Sequence, residues 1–263
     1  MGGKRLSGML LLIDIGNTRI KWARWQQGTL GEQSAAVHAN WTREDFIEQV
    51  LDSGPRPERV LIANVGGKRM GDLAQAAIAD TWSIAARFMQ SPAAAAGIRN
   101  AYSEPAKLGV DRWLAMLGGR SIEPGPICVV SVGTAMTIDG LDADGRHLGG
   151  VIVPAPDLMV SSLLKNTSDI AQRTSGGSTR QQLFADNTLG AIQQGAVQAL
   201  AALVDRAVAT LRTEVGAEPA LVLTGGASSL LQGAIRSPGR EIPDLVLRGL
   251  VVVAAQPESP AAA

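Results

Sequence analysis

The chain has 263 residues, of which 46% are hydrophobic and 18% are charged, so it can bury a sizeable core. Its 24 basic residues balance its 24 acidic ones, which excludes bulk attraction to DNA, RNA or anionic lipid and favours local binding sites. One cysteine, Cys128, and two histidines, His38 and His147, exclude an internal disulfide and a Cys/His zinc site. We expect Cys128 to be buried and both histidines to lie at the surface.

The apolar run at the start of the chain is too short to cross a membrane. Met9 to Ile13 end at Asp14, and the later run Val251 to Val253 is shorter still, whereas a membrane span needs about 20 residues. The expected protein is therefore cytoplasmic, with neither a membrane nor a nucleic-acid partner.

The first predicted element is a strand, a tight turn and a second strand. Apolar Leu10 to Ile13 precede the turn Asp14-Ile15-Gly16-Asn17-Thr18, and apolar residues then alternate with polar ones. A glycine at a turn lets backbone N–H groups approach an anion, and Asp14 at the strand end could hold Mg²⁺. An ordinary hairpin is the alternative, since Asp, Asn and Gly all favour turns.

Two patterns occur once in each half of the chain. The hairpin around Gly16 is matched by a hairpin around Gly133, and the strand before Gly66-Gly67 is matched by a strand before Gly225-Gly226. This order predicts two related α/β domains, 9–122 and 123–263, divided in a Pro- and Gly-rich stretch. About 42 extra residues in the second half are expected within 147–195. The alternative is chance, because short apolar runs followed by glycines are common in α/β proteins.

A third cluster of candidate site residues precedes a predicted helix at 109–120. Asp111 and Arg112 stand at its start, and Tyr102, the one tyrosine, comes shortly before. Asp111 could cap the helix, with Arg112 as a solvated neighbour. Alternatively, Asp111 orients or deprotonates an alcohol while Arg112 holds an anionic group of the same substrate. A second long helix is predicted at 186–214.

Neither of the common phosphate-binding motifs is present. Gly67-Lys68 lacks the glycine that a P-loop has five positions earlier, and no G-x-G-x-x-G motif opens a helix after a strand. Nucleotide binding would therefore depend on the two hairpin turns, which could grip one polyphosphate from two sides.

Six spaced motifs together resemble the type III pantothenate kinases, a family that also contains the Bvg accessory factors. The likeness extends from about residue 10 to 255, and agreement of several motifs in order is more specific than any one of them. The motifs are Asp14-Ile15-Gly16-Asn17-Thr18, Tyr102 with Leu108-Gly109-Val110-Asp111-Arg112-Trp113, Gly133-Thr134-Ala135, Gly149-Gly150-Val151-Ile152-Val153-Pro154, Asn187-Thr188 and Thr224-Gly225-Gly226.

The resemblance implies two duplicated ribonuclease H-like domains of the actin-like ATPase fold, with ATP and pantothenate in the cleft between them. It also implies a homodimer that needs Mg²⁺ and a monovalent cation, K⁺ or NH₄⁺. Asp111 would be the catalytic base. The implied ATP-binding residues are Asp14, Ile15, Gly16, Asn17, Thr18, Arg19, Ile20, Lys21 and Thr134, and the implied pantothenate-binding residues are Tyr102, Gly109, Val110, Asp111, Arg112 and Thr188.

Two positions depart from the family pattern. Ser131 stands where many members have the aspartate that binds the monovalent cation, and a neutral hydroxyl is a weaker cation ligand than a carboxylate. The family usually has glycine where this chain has Ala155, which requires only a backbone φ below zero.

The expected reaction is the ATP-dependent phosphorylation of the primary hydroxyl of pantothenate to 4′-phosphopantothenate, the first step of coenzyme A biosynthesis. Two alternatives remain. One is a non-catalytic regulatory protein that keeps the fold, and the other is a kinase of the same fold that acts on a sugar or another polyol.

Overall fold

The computed structural model of the protein describes residues 8–167 and 183–256, and their contacts divide the chain into two compact units. The first unit contains the described residues up to Pro124, together with 144–147 and those from Asp244 onward. The second contains 125–143 and the described residues of 148–243. Among all of these, no helix combines the length and the apolar character that crossing a membrane requires.

The first unit contains a six-stranded mixed sheet. Its strands are β1 (Leu10–Ile15), β2 (Arg19–Gln26), β3 (Thr29–Leu30), β4 (Ser34–Val37), β5 (Arg59–Asn64) and β6 (Arg87–Phe88). The order is β3-β2-β1-β5-β6, with β4 also paired to β2. β1 and β2 form the predicted antiparallel hairpin, and β5 runs parallel to β1.

Two further strands and several helices complete this unit. The short strands β7 (Ala94–Ala95) and β8 (Ile98–Arg99) pair with each other. The helices are α1 (Arg43–Phe46), which continues as a π-helical turn at Ile47–Leu51, α2 (Lys68–Trp82), a 3₁₀ turn at Pro105–Lys107, α3 (Val110–Arg120) and the C-terminal Leu245–Ala254, which is named α7 here.

β1 is buried along its whole length, as its apolar run from Leu10 to Ile13 predicts for a central strand covered on both faces. Leu11, Ile13 and Ile15 form one core with the inward face of α2, which includes Met70 and Ile78. α7 contacts β1 as well. The end of β1 that carries Asp14 is therefore held rigidly by the surrounding core.

The second unit repeats this arrangement. Its sheet has the order β11-β10-β9-β12-β13, again with an antiparallel hairpin beside two parallel strands. Its elements are β9 (Ile127–Val132), β10 (Ala135–Leu141), β11 (His147–Pro154), α4 (Pro156–Asn166), α5 (Thr188–Val215), β12 (Ala220–Thr224), α6 (Ser229–Gln232) and β13 (Gly239–Glu241). The predicted duplication and both predicted long helices are thus confirmed.

The two glycine pairs occupy matching places in the two sheets. After β5, the Val65 N–H donates to the carbonyl of Ile15 at 2.9 Å, and after β12 the Ala227 N–H donates to the carbonyl of Val132 at 3.1 Å. In each unit the glycine pair therefore packs against the end of the first strand, where the hairpin turn begins.

The observed division of the chain differs from the predicted domains 9–122 and 123–263. The first stretch ends at Pro124, and α7 belongs to the first unit although it follows the second in sequence. The reason is a close helix contact between α3 and α7. A Cβ on Gly118 would lie 2.1 Å from the carbonyl oxygen of Leu245, and one on Gly249 would lie 2.0 Å from that of Leu114. Glycines at both positions let the two backbones touch.

Gly225→Ala is expected to lower the free energy of unfolding by about 2–4 kcal/mol. Gly225 has φ +98, and a Cβ there would lie 2.3 Å from the backbone oxygen of Val132. Gly233→Ala is the matched control, because Gly233 has φ −76 and open space around it. Urea denaturation compares the two variants, and equal stabilities would contradict the proposed strain.

Candidate functional site

The turn after β1 brings several predicted residues to the end of the first sheet. The Gly16 N–H donates to the carbonyl of Arg19 at 2.9 Å and closes the turn, while Asn17, Thr18 and Arg19 are exposed. The side chains of Ile15 and Ile20 are fully buried, so these two residues can meet a ligand only through their main chain. The turn therefore offers backbone groups and the polar side chains of residues 17–19.

Asp14, at the end of β1, has a strongly shifted pKa. Its side chain is 9% exposed, and it lies opposite Lys21 in the β1–β2 register. The pKa of Asp14 is raised to about 7, mainly because burial disfavours the charged form; the ammonium group of Lys21 lowers it and the charge of Asp111 raises it. This effect indicates that the Asp111 carboxyl lies within electrostatic range of Asp14, although the two residues are distant in sequence.

Asp111 lies in the first turn of α3. Its Oδ1 accepts the backbone N–H of Arg112 at 2.9 Å, and the helix N-terminus favours a negative charge there. Gly109 precedes the helix, and a Cβ on it would lie 2.7 Å from that same Oδ1. Gly109 therefore leaves the room that the Asp111 carboxylate occupies. The alternative in which Asp111 caps the helix does not hold, because Gly109 occupies the N-cap position and Asp111 lies inside the first turn.

Arg112 and Tyr102 form a second predicted group in the first unit. Nη1 of Arg112 donates to the Tyr102 hydroxyl at 3.0 Å, and the guanidinium carbon lies 5.8 Å from the ring centroid. His147 stacks on Tyr102 with centroids 6.3 Å apart and planes inclined by 11°. Arg112 is 5% exposed, so its charge is buried rather than solvated. The side chain of Val110 is also buried.

The turn at Gly133-Thr134 in the second unit resembles the first turn. The Gly133 N–H donates to the carbonyl of Ala135 at 2.9 Å, and the exposed Thr134 accepts the N–H of Ala155 through its carbonyl at 3.2 Å. Ala155 has φ −71, so alanine fits there without strain. Thr188 begins α5, where the Asn187 side chain caps the helix by accepting the Gly190 N–H at 2.8 Å.

Ser131 lies on β9 within a row of hydroxyl side chains. Its register partners are Thr137 on β10 and Thr224 on β12. Directly opposed residues of neighbouring strands share a face of the sheet, so the three hydroxyls stand side by side. This row contains no carboxylate.

The expectation that both histidines lie at the surface is wrong. His38 is 3% exposed and His147 is 2% exposed. The sequence around each contains no apolar periodicity that would signal burial, and each is buried by contacts with residues distant in sequence. Cys128 is buried as predicted. The pKa of its thiol is raised to about 12, mainly by burial and to a smaller extent by the nearby Asp139 charge. Asp139 is buried as well, and no sequence motif predicted its burial.

The second unit also contains a cavity of about 530 Å³ that no motif predicted. Its walls come from α4, the first half of α5 and the region of α6. They combine the amide side chains of Gln193, Gln194 and Gln198 with apolar Val160, Leu164 and Leu230. Within the described residues, no group of three or more Asp, Glu, His or Cys side chains could hold a metal ion unaided.

Comparison with known proteins gives a consistent family. The sequence model described as type III pantothenate kinase matches residues 10–210. A type III pantothenate kinase from Nitrosococcus oceani is 37% identical over 94% of this chain and 94% of its own length. One from Azoarcus sp. is 40% identical over 94% of this chain and 91% of its own.

Solved structures support the same fold at lower identity. A Campylobacter jejuni protein described as a conserved Baf family transcriptional activator is 22% identical, with a TM-score of 0.56 over 92% of this chain and 95% of that one. The activator of 2-hydroxyisocaproyl-CoA dehydratase from Clostridium difficile, solved with bound ADPNP, is 15% identical, with a TM-score of 0.53 over 94% of each chain. The fold is that of duplicated, ribonuclease H-like domains of the actin-like ATPases.

Proposed function

The chain belongs to the type III pantothenate kinase family, and on that premise we propose that it transfers the γ-phosphate of ATP to the primary hydroxyl of pantothenate. The product is 4′-phosphopantothenate, and the reaction is the first step of coenzyme A biosynthesis. The single observation that supports these chemical roles best is the effect of the Asp111 charge on the pKa of the buried Asp14, which couples a strand-end carboxylate to one at a helix N-terminus. Since ATP is a cytoplasmic metabolite, the proposed compartment is the cytoplasm.

In this proposal Asp111 is the catalytic base. Phosphoryl transfer needs mainly positioning and charge stabilisation, so a weak base that accepts the hydroxyl proton late in the reaction suffices. The bond from Arg112 N–H to Oδ1 and the space left by Gly109 fix the orientation of the carboxylate. Tyr102 and Arg112 then hold pantothenate, whose carboxylate suits a guanidinium group, and Thr188 completes the proposed set.

The phosphates of ATP are assigned to backbone donors and small polar side chains. Residues 16–19 offer the first turn and Thr134 the second, and Lys21 adds a positive charge beside Asp14. Asp14 fits Mg²⁺, because a buried carboxylate whose pKa is raised gains from a nearby cation, and Mg²⁺ commonly takes one or two carboxylates together with phosphate oxygens. When bound, Mg²⁺ would neutralise charge on the transferred phosphoryl group.

The monovalent cation requirement is expected to be weak in this chain. The Ser131, Thr137 and Thr224 hydroxyls supply no negative charge at the position where many family members have a carboxylate. A potassium titration of kinase activity should therefore be shallow for the wild type and steeper for Ser131→Asp, with half-saturation at roughly tenfold lower K⁺. Identical titration curves would show that position 131 does not determine the cation response.

We also propose a homodimer formed through the second unit. Edge strand β11 exposes Val151 and Ile152, and α4, which follows it, exposes Leu158 and Leu163. Exposed apolar groups of this kind on an edge strand and the next helix are typical of a protein interface. Ile152→Asp should yield monomers by light scattering, whereas Phe88→Asp on edge strand β6 should leave the oligomer intact. A dimeric Ile152→Asp protein would place the interface elsewhere.

The decisive experiment is conversion of pantothenate by the purified protein with Mg²⁺ and ATP, alongside sugars as alternative acceptors. Growth of a strain that lacks pantothenate kinase should be restored by the wild-type gene. A regulator that only keeps the fold would do neither, and a kinase for another polyol would phosphorylate an acceptor from the panel instead.

A further inference from the structure

We propose that His38 is a positioning residue that holds the first phosphate-binding turn in its ATP-binding conformation. This inference rests on the proposed role of residues 16–19. His38 belongs to none of the six sequence motifs. The imidazole is buried in the first unit, and its Nε2 lies 2.7 Å from the carbonyl oxygen of Gly16.

β4 determines where His38 lies. In the register of β4 with β2, Val37 is opposite Arg19, and the His38 N–H extends the ladder by donating to the carbonyl of Thr18 at 3.3 Å. The backbone of His38 therefore runs beside the turn, and the ring can reach into it. Trp41 meets the ring edge-on at 6.4 Å between centroids, which keeps the imidazole in place.

The hydrogen bond to Gly16 shows which imidazole nitrogen of His38 carries the proton. A carbonyl oxygen only accepts, so Nε2 carries the proton and donates to Gly16. Nδ1 is buried and has no hydrogen-bond partner among residues 8–167 and 183–256. Within the described chain, the side chain therefore makes a single hydrogen bond, and that bond is to the turn.

A rigid peptide plane transmits this contact to the ligand side. In a trans peptide the C=O of one residue and the N–H of the next point in opposite directions. With the Gly16 carbonyl directed at His38, the Asn17 N–H points the other way. Asn17 is exposed, and its N–H makes no hydrogen bond within the described part of the chain. The Asn17 N–H is thus presented as a donor for a phosphate oxygen.

Gly66 confines the same carbonyl from another side. A Cβ on Gly66 would lie 2.5 Å from the Gly16 oxygen, so the two backbones are in close contact. Gly16 itself has unusual rotational freedom because it lacks a Cβ. Within residues 8–167 and 183–256, His38 therefore supplies the one side-chain hydrogen bond to a peptide that could otherwise rotate and withdraw its N–H from the phosphate.

Two isosteric substitutions separate this role from simple packing. The amide nitrogen of glutamine stands the same number of bonds from Cα as Nε2, whereas that of asparagine matches Nδ1. His38→Gln should keep the bond to Gly16 and bind ATP within about twofold of wild type. His38→Asn should lose it, and its KM for ATP and Kd for an ATP analogue should rise by about 3- to 10-fold, the equivalent of one hydrogen bond. The KM for pantothenate should change less than twofold in both.

Phe46→Leu controls for loss of stability. Phe46 is fully buried in the same core and contacts Trp41 edge-on, but its hydrocarbon side chain cannot hydrogen-bond to the turn. It should lower the melting temperature without changing the KM for ATP. The proposal is overturned if His38→Asn behaves like Phe46→Leu, or if the Gln and Asn variants bind nucleotide equally well. Binding of the analogue is measured without turnover, so a wild type that binds it but phosphorylates no pantothenate would contradict the proposed function instead.

Discussion

Asp111→Asn is expected to reduce kcat for pantothenate phosphorylation by about 10²- to 10⁴-fold, the range that general-base catalysis contributes. Asparagine keeps an oxygen where Oδ1 accepts the Arg112 N–H, so the start of α3 should remain folded. It cannot take up the hydroxyl proton of the substrate. Steady-state kinetics of the purified variant, with circular dichroism to establish folding, measure this effect.

Asp72→Asn is the matched control for a lost carboxylate. Asp72 lies on α2 of the same unit, where its exposed side chain pairs with Lys68. Its replacement should leave kcat and both KM values near those of the wild type. If the folded Asp111→Asn protein keeps full activity, the base is another group and the assignment of Asp111 is incorrect.

Asp14→Asn is expected to have opposite effects on activity and stability. Loss of the proposed Mg²⁺ ligand should reduce kcat at least about 100-fold. At pH 8 without Mg²⁺, however, the variant should be more stable than the wild type by about 4 kcal/mol. The reason is that the pKa of Asp14 rises from 3.8 to about 7 on folding, and each unit corresponds to about 1.4 kcal/mol.

The sign follows from which form the folded state prefers. Burial favours the protonated carboxyl, so its contribution to stability is fully present below pH 3.8 and is lost as the pH rises through about 7. The stability difference between Asp14→Asn and the wild type should therefore grow between about pH 4 and pH 7 and then level off. Urea denaturation in EDTA across this range measures it. A wild type that is the more stable protein at pH 8 would show that the carboxylate is not desolvated.

Local sequence signals were sufficient for the repeated part of the fold. Each hairpin has a central apolar strand, a glycine-containing turn and an alternating second strand, and each glycine pair follows a buried strand. These signals are confined to a few neighbouring residues, so they survive without knowledge of tertiary contacts. For the same reason, α3 and α5 were predicted within two residues of their observed ends.

Contacts between residues distant in sequence could not be predicted from local sequence signals. The sequence of α7 is apolar almost throughout, and its contacts with α3 and β1 in the folded chain show that it completes the first unit. Likewise, Asp14 and Asp111 are each recognisable as site residues, but their mutual electrostatic effect requires the folded chain. A single histidine has no periodicity, so the burial of His38 and His147 depends on partners that are distant in sequence.

The contact between α3 and α7 also constrains the order in which parts of the protein can fold during synthesis. α3 carries Asp111, and the helix that packs against it follows only after residues 121–244 have been synthesised. Domains generally fold as units while the chain emerges from the ribosome, N-terminal parts first. Here the second unit can fold before the first is complete, so α3 acquires its final support only when α7 has left the ribosome.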